Sequence, residues 1–350
     1  MPDFLERITI KGFKSIASID LELRPINVLI GANGSGKSNF IEAFDFVRAV
    51  ANSNLNDYVS RAGGAQRLLH FGSKTTAEIT MRVSLPISEF VLRPTANDGL
   101  YVVGSAPSDA WQKAFEPAPH PDDPRPGEPL FKIRNRWRSY HFHDTSVFSS
   151  LRKTSKVDDN RFLRADGSNL PAFLYYLRER HDRSYEMIRA TVARVAPFFQ
   201  DFILEPLNLA PESIRLHWKH RKSDDFFDVS SLSDGTLRFI ALTTLFLQPR
   251  EQRPSLILVD EPELGLHPYA IGLVAAMIRQ ASVDSQVIVS TQSPLLLDYF
   301  QPEDVIVTEC VDDATQLRRL DPARLAEWLE DYSLGQLWEK NEIGGLPGSI

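Results

Sequence analysis

Residues 26–39 read INVLIGANGSGKSN, an apolar run that leads into a glycine-rich turn and then into Lys-Ser. The eight residues 31–38 match the pattern G-x-x-x-x-G-K-[ST]. Glycines let a backbone wrap around a phosphate so that several N–H groups point inward, and a helix that follows adds the positive end of its dipole. We therefore predict a phosphate-binding loop between a strand over residues 26–30 and a helix over residues 38–50.

The side chains of this loop have distinct expected roles toward ATP and Mg²⁺, the predicted ligands. Lys37 would reach the β- and γ-phosphates, and the Ser38 hydroxyl would bind Mg²⁺. The candidate nucleotide-binding residues in this segment are Asn33, Gly34, Ser35, Gly36, Lys37, Ser38 and Asn39.

A second motif, LILVDE at residues 256–261, is an apolar run that ends in two carboxylates. Carboxylates at the end of a buried strand are costly unless a cation or hydrogen bonds compensate them. Asp260 is the predicted magnesium ligand, and Glu261 is placed to polarise a water that attacks the γ-phosphate.

Residues 231–236, SLSDGT, precede an apolar stripe that predicts a helix over residues 233–247. Taken alone, a Ser-Asp-Gly start is typical of an ordinary helix N-cap. The order and spacing of the three motifs are therefore more informative about function than residues 231–236 are by themselves.

In this order and spacing, the motifs resemble the ABC-type ATPase heads of SMC, RecF and OLD-like proteins, and the stand-alone ATPases labelled AAA family. The resemblance covers most of the chain. It rests on residues 10–15 (IKGFKS), on 31–39 as Walker A, on 232–236 as the signature motif, on 256–268 as Walker B with the D-loop region, and on 290–294 (STQSP) as the switch.

The resemblance implies a mechanism in which two heads sandwich two ATP molecules. Each site would take Walker A and Walker B from one subunit, and Ser233 and Gly235 of the signature from the other. Two positions depart from the common pattern: Asp234 stands where glycine is usual, and Gln292 stands at the switch where histidine is usual. A glutamine amide can donate to a γ-phosphate but cannot carry a charge. We therefore expect slow hydrolysis of ATP to ADP and phosphate, with Glu261 and Gln292 as catalytic residues.

The composition fits a globular protein: 43% of the 350 residues are hydrophobic, 24% are charged, and the net charge is −7. Residues 251–350 alone carry 17 acids and 6 bases. The single cysteine, Cys310, excludes an intramolecular disulfide, and the longest apolar run has nine residues, too short to span a bilayer. With no recognisable secretion signal, we expect a cytoplasmic protein without membrane contact.

The expected fold is an α/β P-loop NTPase, an ABC-ATPase-like head with a mixed sheet, N-terminal antiparallel strands and an inserted helical and β signature lobe. Residues 1–90 and 251–350 would form the nucleotide-binding lobe, and residues 91–250 the inserted lobe. Seven prolines within residues 107–129 predict an exposed loop, and alternating apolar residues over 214–218 predict one strand. Strand and helix alternation after residue 255 predicts a parallel sheet with crossover helices.

Alternation over residues 131–138 predicts a strand with one cationic face, formed by Lys132, Arg134, Arg136 and Arg138. Three interpretations stay open. The cations could track the phosphates of DNA or RNA, could be the solvated face of an edge strand, or could bind an acidic protein.

The leading hypothesis is an ATPase that forms an ATP-dependent homodimer and controls a partner in DNA repair or anti-phage defence. DNA and a separate nuclease or toxin effector chain are the candidate partners. A non-hydrolysing ATP sensor that drives assembly is the alternative. A third class, the cytosolic ATPase of a transporter, is disfavoured by the SMC-like and RecF-like opening.

Overall fold

The computed structural model describes residues 4–84, 87–106, 133, 136–146 and 148–346. The proline-rich stretch over residues 107–129, together with Lys132 and Arg134, lies outside this part of the chain. Within the described residues, no helix is both long enough and apolar enough to cross a membrane.

Strands form four sheets in the described part of the chain. Their bounds are β1 Arg7–Phe13, β2 Ile16–Glu22, β3 Ile26–Ile30, β4 Ile79–Ser84, β5 Ile87–Pro94, β6 Leu100–Ala106, β7 Trp137–Tyr140, β8 Ser155–Lys156, β9 Phe199–Ile203, β10 Pro206–Leu207, β11 Ala210–Ile214, β12 His217–His220, β13 Phe226–Asp228, β14 Leu256–Asp260, β15 Gln286–Ser290, β16 Val305–Val311 and β17 Ala314–Arg319.

The helices that the described residues form are mostly short. Their bounds are α1 Lys37–Ala51, α2 Leu55–Ala62, α3 Ala65–Leu68, α4 Leu170–Arg180, α5 Asp182–Val195, α6 Asp234–Leu247, α7 Pro268–Ala281, α8 Pro294–Leu297, α9 Pro322–Leu325, α10 Trp328–Asp331 and α11 Leu334–Glu339.

The largest sheet has the strand order β17-β16-β3-β15-β14-β7. Strand β3 lies between β15 and β16 and is parallel to both, which confirms the predicted parallel arrangement for these strands. All five residues of β3 are buried, as expected of a strand in the middle of a sheet. Strand β17 returns antiparallel to β16 through a two-residue turn in which Asp312 and Asp313 both have positive φ.

A second sheet, in the order β2-β1-β4-β5-β6, is antiparallel throughout, as predicted for the N-terminal strands. Helix α1 starts one residue before the predicted helix and ends one residue after it. Its side chains Phe40, Phe44 and Phe46 are buried in one hydrophobic cluster with β1 and β4. The Phe46 ring lies 5.2 Å from that of Phe13, so apolar packing holds α1 against β1.

The chain divides into two compact units. Unit 1 comprises Met1–Ser139, Pro254–Leu258 and Ser285–Ile350, and unit 2 comprises Tyr140–Arg253 and Val259–Asp284. These bounds differ from the division drawn at residues 90 and 250, because β5 pairs with β4 and β6 pairs with β5, which extends the N-terminal sheet to residue 106. Helix α7 packs against α6, which places residues 259–284 with unit 2.

Two local predictions are wrong. Ile133 and Arg136 have helical geometry and the strand begins only at Trp137, so the described cations of the basic segment, Arg136 and Arg138, do not share a continuous strand. The alternating segment at residues 214–218 is split between β11 and β12, which pair with different neighbours. In both cases the alternating pattern reflects only neighbouring residues, whereas a strand forms only where a partner strand, distant in sequence, pairs with it.

Candidate nucleotide-binding site

The phosphate-binding loop begins where β3 ends, and its three glycines all have positive φ: 152° at Gly31, 80° at Gly34 and 107° at Gly36. A Cβ at Gly31 would clash with a backbone carbonyl of β16, and one at Gly36 would clash with the Thr315 hydroxyl. Gly34 has open space around it. At Gly31 and Gly36, the close approach of β16 and β17 leaves no room for a side chain. At Gly34 there is room, and only the positive φ favours glycine.

Lys37 and Ser35 give the loop its polar interior. The Lys37 Nζ donates hydrogen bonds to the Gly31 carbonyl at 2.6 Å and to the Ala32 carbonyl at 2.9 Å, and the residue is 6% exposed. The buried Ser35 hydroxyl has no hydrogen-bond partner among the described residues. A buried ammonium and a buried, unsatisfied hydroxyl within one loop fit an anion with several acceptor oxygens, so these residues suit a nucleotide phosphate.

The remaining predicted loop residues lie at the surface or at its edge. Asn33, Gly34 and Ser38 are exposed, and Asn39 is half-buried. The Asn39 side chain donates a hydrogen bond to the Ser15 hydroxyl at 2.7 Å, an interaction that its place in the motif did not predict. Ser38 is thus accessible to a metal ion from solvent.

Gln292 lies in unit 1, in the segment that follows β15, and β15 pairs with the strand β3 that precedes the loop. The Thr291 N–H donates to the Leu29 carbonyl at 3.0 Å, so the chain leaves β15 level with the end of β3. Gln292 is exposed and directly precedes Ser293, whose hydroxyl caps α8. This places Gln292 one strand away from the start of the loop.

A cleft of about 640 Å³ lies beside the first turn of α1. Its lining includes Lys14, Asn39, Arg67 and the 61% exposed Phe71, whose φ is 56°. An apolar ring, two cations and an amide on the wall of one cleft suit a planar, polar, anionic ligand.

In unit 2, Asp260 and Glu261 are half-buried at the end of β14. Glu261 has a φ of 43°, which is uncommon for a residue other than glycine and marks a position held by its surroundings. The Asp260 carbonyl is hydrogen-bonded to His143 Nε2 at 2.8 Å. In the described residues no group of three or more His, Cys, Asp and Glu side chains could hold a metal ion by itself.

Helix α6 begins with a side-chain cap, as its sequence predicts. The Ser233 hydroxyl accepts from the Thr236 N–H at 3.2 Å, and Ser233 is exposed. Gly235 packs so closely against the Gly265 carbonyl that a Cβ there would clash. The Asp234 carboxylate, the departure from the common pattern, accepts a 2.8 Å hydrogen bond from the buried Arg152.

Arg238, in the second turn of α6, forms hydrogen bonds to two other segments of unit 2. Its guanidinium donates to the carbonyls of Phe142 and His143 at 2.9 Å each, and to that of Leu264. The residue is 5% exposed, and burial lowers the pKa of its guanidinium. The start of α6, the Leu264–Gly265 turn and the His143 segment are thereby held by one cation.

Arg238→Ala is expected to lower the free energy of unfolding of the protein by about 2 kcal/mol, because one buried and two partly buried backbone carbonyls would lose their charged donor. Urea unfolding followed by intrinsic fluorescence measures the change. Arg250→Ala removes a surface arginine that pairs with Asp284, and we expect a change below about 0.5 kcal/mol. Equal changes in the two variants would contradict this role for Arg238.

A family model described as "AAA domain, putative AbiEii toxin, Type IV TA system" (AAA_21) matches residues 26–298, well over half of the chain. The chain belongs to this family. The match begins at β3 and extends through both acidic residues and Gln292, so it includes the phosphate-binding loop, the start of α6 and the acidic strand end, whereas residues 10–15 precede it.

The relatives include OLD nucleases. That of Thermus scotoductus is 22% identical over 374 residues, covering 97% of this chain and 69% of the relative, and that of Escherichia phage P2 is 22% identical, covering 95% and 64%. The chain thus spans about two thirds of the length of these nucleases. A RecF protein of Lacticaseibacillus casei is 37% identical over 71 residues, 20% of this chain and 17% of that protein.

Solved structures of SMC heads share the fold. One, an SMC head bound to the C-terminal winged-helix domain of ScpA, has a TM-score of 0.64 at 17% identity and covers 93% of this chain and 99% of its own. A second, an Smc head domain with an extended coiled coil bound to the C-terminal domain of ScpA, derived from Pyrococcus furiosus, has a TM-score of 0.61 at 15% identity. It covers 94% of this chain and 99% of its own. The protein is therefore an ABC-ATPase-like head of the SMC, RecF and OLD type, as the motifs indicated.

Four residues of the two site regions escaped the sequence analysis: Thr315, Arg152, Arg238 and His143. Thr315, Arg152 and His143 each contact a motif residue from far along the chain, and Arg238 contacts Leu264 in the segment after β14. None of the four belongs to a motif that a sequence pattern would identify. Arg238 left a weak signal, since it is a charge within the otherwise apolar face of α6.

Proposed function

We propose that the protein binds Mg²⁺-ATP, hydrolyses it slowly, and uses the nucleotide to join two heads. The observation that carries this proposal is the loop interior, which holds both the buried Lys37 ammonium and the unsatisfied Ser35 hydroxyl. ATP with Mg²⁺ is also the nucleotide of this class of ATPase. Ser38 and Asp260 are the proposed magnesium ligands, and the metal would neutralise charge on the phosphates.

The proposed chemistry needs one base and one positioning group. Glu261 would accept a proton from the attacking water, and Gln292 would donate its amide N–H to the γ-phosphate. The left-handed backbone at Glu261 supports this role because strained backbone concentrates at functional sites. The uncharged Gln292 would stabilise developing charge less than a protonated histidine, which makes hydrolysis slow.

The proposed dimer contact is the start of α6. Its exposed Ser233 and the helix dipole form an anion site that a phosphate from a second head would satisfy. The negative charge of Asp234 repels an incoming phosphate only weakly, because Asp234 forms an ion pair with Arg152. The departure from glycine at this position is therefore compatible with a signature motif.

The cleft beside α1 is the proposed site for the base of the nucleotide. Asn39 both lines it and belongs to the helix that leaves the phosphate loop, so a nucleotide held by Lys37 would extend toward the cleft. The Phe71 ring would stack on the purine and Arg67 or Lys14 would contact the ribose or α-phosphate.

The biological role follows from the relatives as a proposal. OLD nucleases and RecF proteins are named for a nuclease and for DNA replication and repair, which supports DNA repair or anti-phage defence as the setting. A separate nuclease or toxin effector chain is one proposed partner, in keeping with the nuclease named in these relatives. DNA is the other proposed partner.

The dimer is tested by mixing two inactive variants. Lys37→Ala is expected to lose nucleotide binding, and Ser233→Glu to repel the phosphate of the second head by like charge. A mixture should regain phosphate release, because one site then has an intact loop and an intact helix tip from different chains. Light scattering of wild type should show the mass doubling with Mg²⁺-ATP and not with ADP.

No recovery in the mixture, together with a monomer in ATP, would overturn the head-to-head proposal. A parallel run with duplex DNA tests the second partner. Binding of DNA in the ATP state supports a DNA role, and the absence of binding in both states leaves the effector protein as the proposed partner.

A further inference from the structure

A threonine that is distant in sequence from the motifs contacts the phosphate-binding loop at Ser35 and Gly36. Thr315, the second residue of β17, is 2% exposed. Its hydroxyl lies 3.0 Å from the Ser35 carbonyl, and its side chain fills the space that a Cβ at Gly36 would need. Thr315 therefore contacts two consecutive residues of the loop, directly before Lys37.

The Thr315 hydroxyl also meets a second hydroxyl. It lies 2.6 Å from the Ser15 hydroxyl, and the Thr315 N–H donates to the Ser15 carbonyl at 2.7 Å. Ser15 in turn accepts from the Asn39 amide at 2.7 Å. Four residues thus form one chain of hydrogen bonds, from the first turn of α1 to the loop.

The chemistry of the two ends fixes the direction of every bond in this chain. A carbonyl only accepts, so the Thr315 hydroxyl must donate its one proton to the Ser35 carbonyl. The Ser15 hydroxyl must then donate to Thr315, and the Asn39 N–H donates to Ser15. Each member has one defined orientation, and removing the central hydroxyl would leave the Ser35 carbonyl without this donor.

We propose that Thr315 is a positioning residue that holds the phosphate-binding loop in its binding shape and couples that loop to the cleft beside α1. The inference deepens the proposed function and rests on the loop being the nucleotide site. The two-residue turn between β16 and β17 fixes the register of β17 on β16, with Thr315 opposite Cys310. Ser15 follows Lys14, which lines the cleft and pairs with Glu42. A displacement of the loop would therefore move the wall of the cleft, and a ligand that moves the wall of the cleft would displace the loop.

The test is Thr315→Val, which keeps the shape of the side chain and removes the hydroxyl. We expect the Kd for Mg²⁺-ATP, measured by calorimetry, to rise about tenfold. Thr315→Ser retains the hydroxyl and should restore the Kd to within about twofold of wild type. Thr308→Val is the matched control, because the Thr308 hydroxyl is equally buried, lies on the same hairpin and has no hydrogen-bond partner among the described residues. We expect no change in its Kd.

Ser15→Ala provides a second variant, since it removes the donor to Thr315 and leaves the Thr315 bond to the loop. Its effect should be smaller, about threefold, and Ser15→Ala with Thr315→Val should show the effect of Thr315→Val alone. Additive effects of the two changes, an unchanged Kd in Thr315→Val, or an equal rise in Thr308→Val would overturn the proposal. Failure of wild type to bind ATP would instead overturn the proposed function, and the wild-type measurement separates the two.

Discussion

Glu261→Gln is expected to slow phosphate release by about 1000-fold while leaving ATP binding intact. A glutamine has the same shape and can adopt the same backbone conformation, but its amide cannot accept the proton of the attacking water. General bases contribute about 10²–10⁴-fold to rates. Single-turnover phosphate release at saturating Mg²⁺-ATP measures the chemical step directly, and light scattering follows the dimer, whose lifetime should lengthen.

Glu251→Gln is the control for this change, because Glu251 is an exposed acid in the turn before β14 and should leave both measurements unaltered. The same experiment separates the two functional hypotheses. An ATP sensor that works by binding alone would keep its assembly lifetime when Glu261 is changed. A lengthened lifetime together with lost hydrolysis supports the hydrolase.

Lys37→Ala is expected to weaken the binding of ATP at least 100-fold. The Lys37 ammonium is the charged group held inside the loop, and charge-assisted hydrogen bonds to phosphate are among the strong ones. A 100-fold loss corresponds to about 2.7 kcal/mol, within the range of one or two hydrogen bonds to a charged group. Calorimetry with Mg²⁺-ATP measures the Kd.

The matched control for Lys37 is Lys11→Ala, which removes an exposed lysine from β1 in the same unit. The Kd should stay within twofold of wild type. Circular dichroism and urea unfolding of both variants establish that they are folded. A folded Lys37→Ala protein that binds ATP as tightly as wild type would rule out the loop as the phosphate site.

The sequence analysis succeeded where the relevant interactions are local. Strand β3, the loop and helix α1 follow one another along the chain, so the apolar run, the glycines and the amphipathic pattern each report on structure within a few residues. The Ser233 cap of α6 is local in the same way. The basic segment failed because its alternation predicts a strand only if a partner strand exists, and the described part of it is helical before Trp137.

By itself, the sequence determined that this chain has a glycine-rich loop between a strand and a helix, an acidic strand end and a capped helix, because these depend on backbone conformation over short spans. Only the tertiary structure decided what surrounds them. Thr315 meets a loop residue 280 positions away, Arg238 meets His143 across 95 positions, and Arg152 meets Asp234 across 82. Such contacts arise from the packing of distant elements, where a hydroxyl or guanidinium supplies the partner that a buried polar group needs.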